Sequence, residues 1–297
     1  MIPSNSNTHQ FLQGKVILIT GATSGIGEVT AQALAGMGAT LVFVGRNPGR
    51  SEATLDKIRQ VSRNHKVEYI LADLSVTAQV QNLADQFLQS YDRLDVLINN
   101  AGAEFFTRQI SADGIEMTFA VNHLSYFLLT NLLIETIKAT AKKAGEARVV
   151  NVASDAHYSG KMRFDDLMFE RGYEPGGFRA YAQSKLANVL FTFELSRRLE
   201  GSGVTANALH PGFVATNLGK NNGWLGRLAM GIAHRFAISP LEGAKTSIFL
   251  ASSPEVSGVT GEFFIENKPA QANPDAYNQE NAARLWRISE GLTSGST

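Results

Sequence analysis

Short apolar runs of strand length alternate along this chain with longer segments whose apolar residues recur at helical spacing. The first run covers residues 16–20, a helical segment follows over residues 25–37, and a second run covers residues 40–44. Nearly every position in these runs is apolar, so both of their faces should be buried, as in parallel sheets that helices flank on both sides. The alternation therefore predicts an α/β fold with a doubly wound parallel sheet and helices on both faces.

The same alternation extends through the rest of the chain, and neither a linker nor an internal repeat breaks it. It predicts a single domain over residues 1–297, with a loose arm at residues 1–14 and a C-terminal extension at residues 268–297. Two irregular stretches, residues 155–179 and 213–239, are longer than ordinary connections and are candidates for a lid or a binding loop. Further helices are expected at residues 50–61, 76–91, 118–138 and after Tyr181, and further strands at residues 67–71, 94–98, 148–152 and 204–209.

The composition disfavours several kinds of partner and chemistry. The 27 basic residues balance the 27 acidic ones, so no overall field favours nucleic acid or an anionic membrane surface. Cysteine is absent, which removes disulfides, thiolate catalysis and zinc–thiolate sites. The polar start of the chain has no signal-peptide pattern, and no run approaches the roughly 20 uninterrupted apolar residues that span a bilayer. We expect a cytoplasmic protein with no membrane span.

A glycine-rich segment, Gly21-Ala-Thr-Ser-Gly-Ile-Gly27, follows the first predicted strand directly and runs into the first predicted helix. Glycines let a backbone approach phosphates closely, and the amides at a helix N-terminus attract an anion. In this position the pattern predicts a pyrophosphate cradle, with an ordinary tight turn as the alternative. Hydroxyl groups in the loop would add hydrogen bonds or cap the helix. The predicted cofactor-binding residues of this segment are Gly21, Thr23, Ser24, Gly25, Ile26 and Gly27.

The second predicted strand ends in Val44-Gly-Arg-Asn47, at a place where NAD-binding sites usually carry an acidic residue for the ribose hydroxyls. A guanidinium fits a 2′-phosphate, which a carboxylate in the same place would repel. The sequence therefore favours NADP(H) over NAD(H), with Arg46 and Asn47 as cofactor contacts. An ordinary solvated arginine is the alternative interpretation of Arg46.

Tyr181 and Lys185 stand four residues apart in a predicted helix, so their side chains share one face. A free tyrosine has a pKa of about 10, too high for a base at neutral pH, and a neighbouring ammonium lowers that pKa by favouring the phenolate. Such a pair suits proton transfer to or from a reacting oxygen. The same spacing is common on helix surfaces, so this prediction depends on the motifs around it.

Further short motifs follow the predicted strands in order along the chain. They are Asp73-Leu74 after the third strand, Asn99-Asn-Ala-Gly102 after the fourth, Asn122 in the helix that follows, Ser154 after the fifth, Tyr181-x-x-x-Lys185, and His210-Pro-Gly212. Together with the glycine-rich segment they resemble the short-chain dehydrogenase/reductase family over nearly the whole chain. The resemblance implies a single-domain Rossmann fold and an oxidoreductase that interconverts an alcohol and an aldehyde or ketone with a nicotinamide cofactor.

The resemblance also implies a catalytic tetrad. Tyr181 would protonate the developing alkoxide during reduction, while Ser154 hydrogen-bonds the same oxygen. Lys185 would assist the tyrosine and hold the nicotinamide ribose, and Asn122 would position a water that links the lysine to solvent. The remaining implied cofactor contacts are Asp73 and Leu74 near the adenine, Asn100, Ala101 and Gly102 along the cofactor, and Pro211, Gly212, Val214 and Thr216 near the carboxamide.

Several features resemble the retinol dehydrogenase subgroup, among them Ser184-Lys-Leu-Ala-Asn188 and the long insert before Tyr181. Membrane-bound members of that subgroup begin with a hydrophobic anchor that this sequence lacks, so we expect a soluble relative and do not carry over the substrate. Apolar residues within residues 213–239 predict a lid over an apolar substrate, with packing against the core or another subunit as the alternative. Family members often dimerise through the helices carrying Asn122 and Tyr181, so a homodimer is a possible assembly.

Three histidines, His123, His157 and His210, are assigned no catalytic role, because no pair has metal-ligand spacing and Tyr181 already supplies an acid. We predict no metal site, although His157 lies close enough to Ser154 in sequence to border the substrate. Two functions of other classes stay open. One is a cofactor-binding sensor or scaffold with little turnover, which the intact motifs disfavour. The other is an epimerase or dehydratase, which the lack of a large C-terminal substrate domain disfavours.

Overall fold

The computed structural model describes residues 11–212 and 239–294 of the chain. In these residues one sheet of eight strands has the order β3-β2-β1-β4-β5-β6-β7-β8. The strands are β1 (Val16–Thr20), β2 (Thr40–Gly45), β3 (Val67–Leu71), β4 (Val96–Asn99), β5 (Ala147–Val152), β6 (Val204–His210), β7 (Phe263–Ile265) and β8 (Lys268–Ala270). Strands β1 to β7 are parallel, and β8 alone pairs antiparallel, with β7. The strand order reverses between β1 and β4, which is where α/β sheets bind ligands.

Helices cover both faces of the sheet. They are α1 (Gly25–Gly36), α2 (Pro48–Ser62), α3 (Thr77–Ser90), α4 (Ser125–Ala144), α5 (Phe178–Arg198), α6 (Pro240–Ser252) and α7 (Gln279–Thr293). A helical turn at Met117–Phe119 and a π-helical segment at Ala120–Leu124 lead into α4. The predicted doubly wound fold is therefore confirmed, and the one strand that departs from a parallel sheet lies in the C-terminal extension.

The first strand shows why the predicted strands are apolar at nearly every position. All five of its residues are buried, and successive side chains point to opposite faces. Leu18 packs with Leu97 and Leu129 on the face covered by α3, α4 and α5. Ile17 packs with Leu34 on the opposite face, which α1, α2 and α6 cover. Each fully buried leucine or isoleucine stabilises the fold by about 1.5–3 kcal/mol, so two covered faces favour an uninterrupted apolar run.

Within the described residues, both the end of the expected arm and the C-terminal extension contact the rest of the domain. In the expected loose arm, Leu12 is buried and its N–H donates to Met37 O at 2.9 Å. In the C-terminal extension, α7 packs on α4 and α5, with the Trp286 ring centroid 5.0 Å from that of Phe127 and 5.7 Å from that of Phe191. A homodimer stays a prediction.

Among the described residues, the helical stretch Met117–Ala144 is long and apolar enough to cross a membrane by length and composition. However, 72% of its apolar window is buried inside the fold, as expected for a core helix that packs on a sheet. This helix carries Asn122 into the interior at its N-terminal end. The expected absence of a membrane span stays a prediction.

Candidate active site

The glycine-rich loop between β1 and α1 packs directly against the loop that follows β4. Gly21 has φ +67°, and a Cβ atom there would lie 2.7 Å from Ala101 Cα. Gly27 has no room for a side chain either, because Asn100 Nδ2 and the Gly21 carbonyl oxygen occupy the space. Both positions require glycine for a steric reason, the first also for its left-handed backbone.

Hydrogen bonds join these two loops into one unit. The Asn100 side-chain amide donates to Thr20 O at 2.8 Å and to Gly21 O at 3.1 Å. In return, Thr20 Oγ1 accepts from the backbone N–H groups of Asn100 and Ala101, both at 3.0 Å. The carboxyl ends of β1 and β4 are therefore fixed relative to each other at the point where the strand order reverses.

The start of α1 fits a phosphate group. Ser24 occupies the N-cap position, but its side chain makes no capping hydrogen bond, so of its two expected roles the cap is not the one it takes. The backbone amides in the first turn of this 12-residue helix therefore have no side-chain cap from Ser24. The adjoining loop is packed too tightly at Gly21 and Gly27 for Cβ atoms, so its backbone can approach a bound anion closely. The other predicted residues of the loop take supporting places, since Ile26 is buried and Thr23 Cγ2 lies next to Gly45. This arrangement can hold a pyrophosphate.

Arg46 and Asp73 lie side by side at the ends of β2 and β3. Arg46 Nη1 is 3.7 Å from Asp73 Oδ2, and the Arg46 side chain is 65% exposed. Asn47 Oδ1 accepts the Arg50 N–H at 2.9 Å and caps α2, so its oxygen is already used. Leu74, beside Asp73, is half-buried against the core. The exposed guanidinium is compatible with both interpretations of Arg46, a cofactor contact and a solvated surface arginine.

Tyr181 and Lys185 lie on a helix, α5, that is buried over most of its length. Lys185 is 2% exposed, and its Nζ donates to Val152 O at the end of β5, at 3.1 Å. The same nitrogen lies 5.6 Å from the centroid of the Tyr181 ring. A Cβ on Gly102 would be 3.4 Å from it. The lysine therefore stands between the tyrosine and the loop after β4, where a bound ribose would lie.

Ser154 begins a short 3₁₀ turn, Asp155–Ser159, directly after β5. Its hydroxyl donates to Asp155 Oδ1 at 2.9 Å and accepts the Ala156 N–H at 3.2 Å. A hydrogen bond with this hydroxyl also lowers the pKa of Tyr181. The structure thus brings the serine, the tyrosine and the lysine together at the carboxyl edge of the sheet.

The protonation of this pair differs from the simple expectation. Burial is the largest influence on Tyr181 and raises its pKa above 10, with the Ser154 hydrogen bond opposing the rise. Burial also lowers the pKa of Lys185, to about 7. The expectation of a lowered pKa for Tyr181 is therefore wrong, because burial outweighs the effect that lowers it. Tyr181 is a neutral phenol, which is the form that donates a proton.

Asn122 lies in the π-helical segment that precedes α4. Its Oδ1 accepts the Ala103 N–H at 2.8 Å, and its Nδ2 donates to Ala103 O and to Ser184 Oγ, both at 2.9 Å. The Ser184 hydroxyl in turn donates to Tyr181 O at 2.7 Å. Single π-helical turns often occur at functional sites, and this one places the Asn122 side-chain amide between the loop after β4 and α5. Asn122 therefore clamps the loop after β4 to the helix that carries the tyrosine.

A buried ladder of polar side chains supports the site and was missed by the sequence. Asn99 Nδ2 donates to Thr130 Oγ1 at 3.0 Å and to Asn151 Oδ1 at 2.8 Å. Asn151 Nδ2 donates to Thr192 Oγ1 at 2.9 Å. These four residues connect β4, β5, α4 and α5 within the interior, where hydrogen bonds fix geometry. Asn99 belonged to a recognised motif, but no sequence signal paired it with the other three.

Two further side chains near Tyr181 were not predicted from the sequence. The Tyr126 hydroxyl donates to Ala101 O at 2.8 Å and so attaches the loop after β4 to α4. Burial raises the pKa of the Glu104 carboxyl to about 7, and its charge raises the pKa of Tyr181. Glu104 stands two residues after Gly102, on the same loop. The site therefore holds an acidic group whose charge changes near neutral pH.

The last motif closes the site at the end of β6. His210 Nδ1 accepts the Asp155 N–H at 3.0 Å, which joins the ends of β5 and β6. Pro211 and Gly212 follow, and Gly212 adopts φ +87°. The predicted contacts Val214 and Thr216, and almost all of the predicted lid at residues 213–239, lie outside the described residues.

Sequence comparisons give an independent result. The family model described as short chain dehydrogenase matches residues 15–223. Retinol dehydrogenase 14 of Homo sapiens is 41% identical over 295 residues, which cover 94% of this chain and 86% of that protein. Polyprenol dehydrogenase of Homo sapiens is 39% identical over 282 residues and covers 94% of this chain and 85% of its own length.

Solved structures are similar over most of the chain as well. A crystal structure of an uncharacterized protein from Mycobacterium Paratuberculosis has a TM-score of 0.77 at 33% identity, covering 97% of this chain and 96% of that one. The Pseudomonas aeruginosa RhlG/NADP active-site complex has a TM-score of 0.67 at 26% identity, with 88% and 97% covered. The 3-ketoacyl-(acyl-carrier-protein) reductase from Brucella melitensis, complexed with NADH, has a TM-score of 0.63 at 28% identity, with 85% and 96% covered.

Proposed function

This chain belongs to the short-chain dehydrogenase family, as an oxidoreductase similar to retinol dehydrogenases, and from this we propose that it is an NADP(H)-dependent enzyme using Tyr181 as its acid and base. It interconverts an alcohol with an aldehyde or ketone. We propose an apolar substrate, because apolar residues within residues 213–239 predict a lid over it. The nicotinamide cofactor supplies the hydride donor or acceptor when bound.

One observation carries the proposal. The glycine cradle, Ser154, Tyr181 and Lys185 all lie at the carboxyl edge of the sheet, and Asn100 and Asn122 connect the cradle's neighbouring loop to the tyrosine helix. A tyrosine–lysine pair on an ordinary helix surface would not be connected to neighbouring loops by buried hydrogen bonds. Here both side chains are buried beside the loop after β4, within reach of one small molecule.

The proton chemistry follows from the site's own groups. In reduction, the neutral Tyr181 phenol donates its proton to the oxygen that develops negative charge, and the Ser154 hydroxyl hydrogen-bonds that oxygen. Lys185, positioned by Val152 O, supplies positive charge as the phenolate forms. Asn122 holds the surrounding loop and, in the proposed scheme, a water that returns a proton to the lysine. Oxidation of an alcohol uses the same steps in reverse.

The reaction class is tested with a panel of aldehydes, ketones and alcohols, scored by the absorbance of NADPH at fixed enzyme concentration. The proposal expects turnover of long-chain or aromatic aldehydes with one NADPH consumed per carbonyl reduced. Better turnover of small polar ketones would contradict the apolar substrate. Turnover without net NADPH consumption would instead indicate an epimerase or dehydratase.

The cofactor preference is tested at Arg46, whose exposed guanidinium favours a 2′-phosphate. Arg46→Ala should raise the Kd for NADPH about tenfold, as the loss of one charge-assisted hydrogen bond predicts, and leave the Kd for NADH unchanged. Arg63→Ala, an exposed arginine beyond the end of α2, is the matched control and should change neither value. A wild-type preference for NADH, or equal effects of Arg46→Ala on both cofactors, would refute the assignment.

A further inference from the structure

His157 joins the proposed substrate-binding serine to the C-terminal extension. Its side chain is fully buried, with Nδ1 2.6 Å from Ser154 O and Nε2 3.1 Å from the backbone nitrogen of Asn273. A carbonyl oxygen only accepts and a backbone N–H only donates, so the two contacts fix the tautomer. The proton is on Nδ1, and Nε2 accepts. Only the neutral ring satisfies both partners at once.

Asn273 holds the rest of the same turn. Its Nδ2 donates to three backbone carbonyl oxygens, those of His157 at 2.9 Å, Tyr158 at 3.2 Å and Gly160 at 3.2 Å. Its Oδ1 accepts the Asp275 N–H at 2.8 Å, which keeps the amide from rotating. One side chain, 6% exposed, therefore bonds two carbonyls of the turn that Ser154 begins and a third directly after it.

The C-terminal extension contacts the turn at another point as well. The Tyr158 hydroxyl donates to Gln271 O at 2.7 Å, again in the C-terminal extension. The groups that face the His157 ring are Asp155 and His210, which act on its charge, and the rings of Tyr158 and Phe263, with centroids 4.1 Å and 4.6 Å away. The extension thus contacts the turn through the histidine, the tyrosine and three carbonyls, and none of these is part of the proposed tetrad.

We propose that His157 is the positioning residue for Ser154, and that Asn273 couples the C-terminal extension to that serine. The proposal rests on the proposed function, in which the Ser154 hydroxyl hydrogen-bonds the reacting oxygen. His157 donates to the serine's carbonyl twice, from Nδ1 and from its backbone N–H at 3.2 Å. The serine's backbone orientation, and with it the direction of its hydroxyl, depends on the histidine ring.

Two substitutions test the roles of the two His157 ring nitrogens separately. In His157→Asn the amide nitrogen falls near the Nδ1 position and keeps the bond to Ser154 O. In His157→Gln the amide reaches the Nε2 position and keeps an acceptor for the Asn273 N–H, but the bond to the serine is lost. We expect kcat close to wild type in His157→Asn and about tenfold lower in His157→Gln, the effect of one hydrogen bond, with the Kd for NADPH unchanged in both. Equal kcat values in the two variants would overturn the positioning role.

The coupling is tested at Asn273, which also serves if His157→Gln does not fold. Asn273→Asp keeps the acceptor for Asp275 but cannot donate to the three carbonyls. We expect faster amide hydrogen exchange at residues 155–160 and a kcat lowered about tenfold or more, with the Kd for NADPH unchanged. Asn278→Asp is the control, because Asn278 caps α7 in the same extension and aspartate caps equally well. Unchanged exchange and kcat in Asn273→Asp would overturn the coupling.

The failure of this proposal is distinguishable from that of the proposed function. A wild-type protein that turns over no carbonyl or alcohol, or a Ser154→Ala variant as active as wild type, refutes the function on which the serine's role depends. Normal wild-type turnover, impaired Ser154→Ala and unaltered His157→Gln and Asn273→Asp refute the positioning alone. Slow turnover in the last two variants, with His157→Asn near wild type, supports it.

Discussion

Lys185 should destabilise the folded chain near neutral pH, although activity is proposed to require it. The side chain is 2% exposed, and burial lowers its pKa from 10.5 to about 7. The unfolded chain therefore binds the lysine proton up to a higher pH than the folded chain does. Replacement by methionine, which has a similar length and no charge, removes this cost while leaving the interior filled.

The magnitude follows from the difference of 3.5 pH units between 10.5 and 7. At about 1.4 kcal/mol per unit, burying the lysine costs about 5 kcal/mol well below pH 7, about 4 kcal/mol at pH 7 and about 2 kcal/mol at pH 9, where the folded side chain has lost its proton. The unfolded state binds more protons in this window, so the free energy of unfolding rises with pH. Loss of the Lys185 hydrogen bond to Val152 O offsets about 1 kcal/mol of the gain in the variant.

Urea unfolding of the cofactor-free protein between pH 7 and pH 9 measures this effect. Lys185→Met is expected to be about 3 kcal/mol more stable than wild type at pH 7, and the advantage should shrink by about 2 kcal/mol at pH 9. Lys143→Met is the matched control, since Lys143 is exposed in the last turn of α4 and should show no pH-dependent difference. A Lys185→Met protein less stable than wild type at pH 7, or a difference independent of pH, would refute the reasoning.

Other parts of the account make separate predictions. Gly21→Ala should raise the Kd for NADPH at least about 100-fold, measured by cofactor fluorescence, because its left-handed backbone and its contact with the loop after β4 leave no place for a methyl group. Trp286→Ala should lower the free energy of unfolding by about 3–5 kcal/mol in urea, since the ring is buried against α4 and α5. Glu104→Gln removes a charge that raises the pKa of Tyr181, so the loss of reductase activity at alkaline pH should begin at lower pH in a pH–rate profile.

The parts of the fold that the sequence predicted are those that local patterns determine. Strand β1 and the glycine loop follow from a short apolar run and a steric demand at Gly21, and both are readable without the tertiary structure. The Tyr181–Lys185 pair follows from helical spacing. Each of these depends on residues within one or two elements, so a linear pattern suffices.

The parts that the sequence did not predict depend on contacts between distant residues. Asn273 meets His157 across 116 positions, and Asn99 meets Asn151 across 52, with no pattern in the chain to pair them. The pKa of Lys185 depends on burial, which spacing does not specify. For the same reason, the expectation of a lowered pKa for Tyr181 failed, because it left out the burial of the tyrosine.

The central claim is that the Tyr181 hydroxyl transfers the proton, and Tyr181→Phe tests it most directly. Phenylalanine keeps the buried ring and removes only the hydroxyl, and Tyr277→Phe is a control at a half-exposed tyrosine in the C-terminal extension. The measurement is kcat for aldehyde reduction together with the Kd for NADPH. The account predicts a kcat lowered by about 10²–10⁴-fold with the Kd for NADPH within about threefold of wild type. A Tyr181→Phe protein that retains wild-type kcat would contradict it.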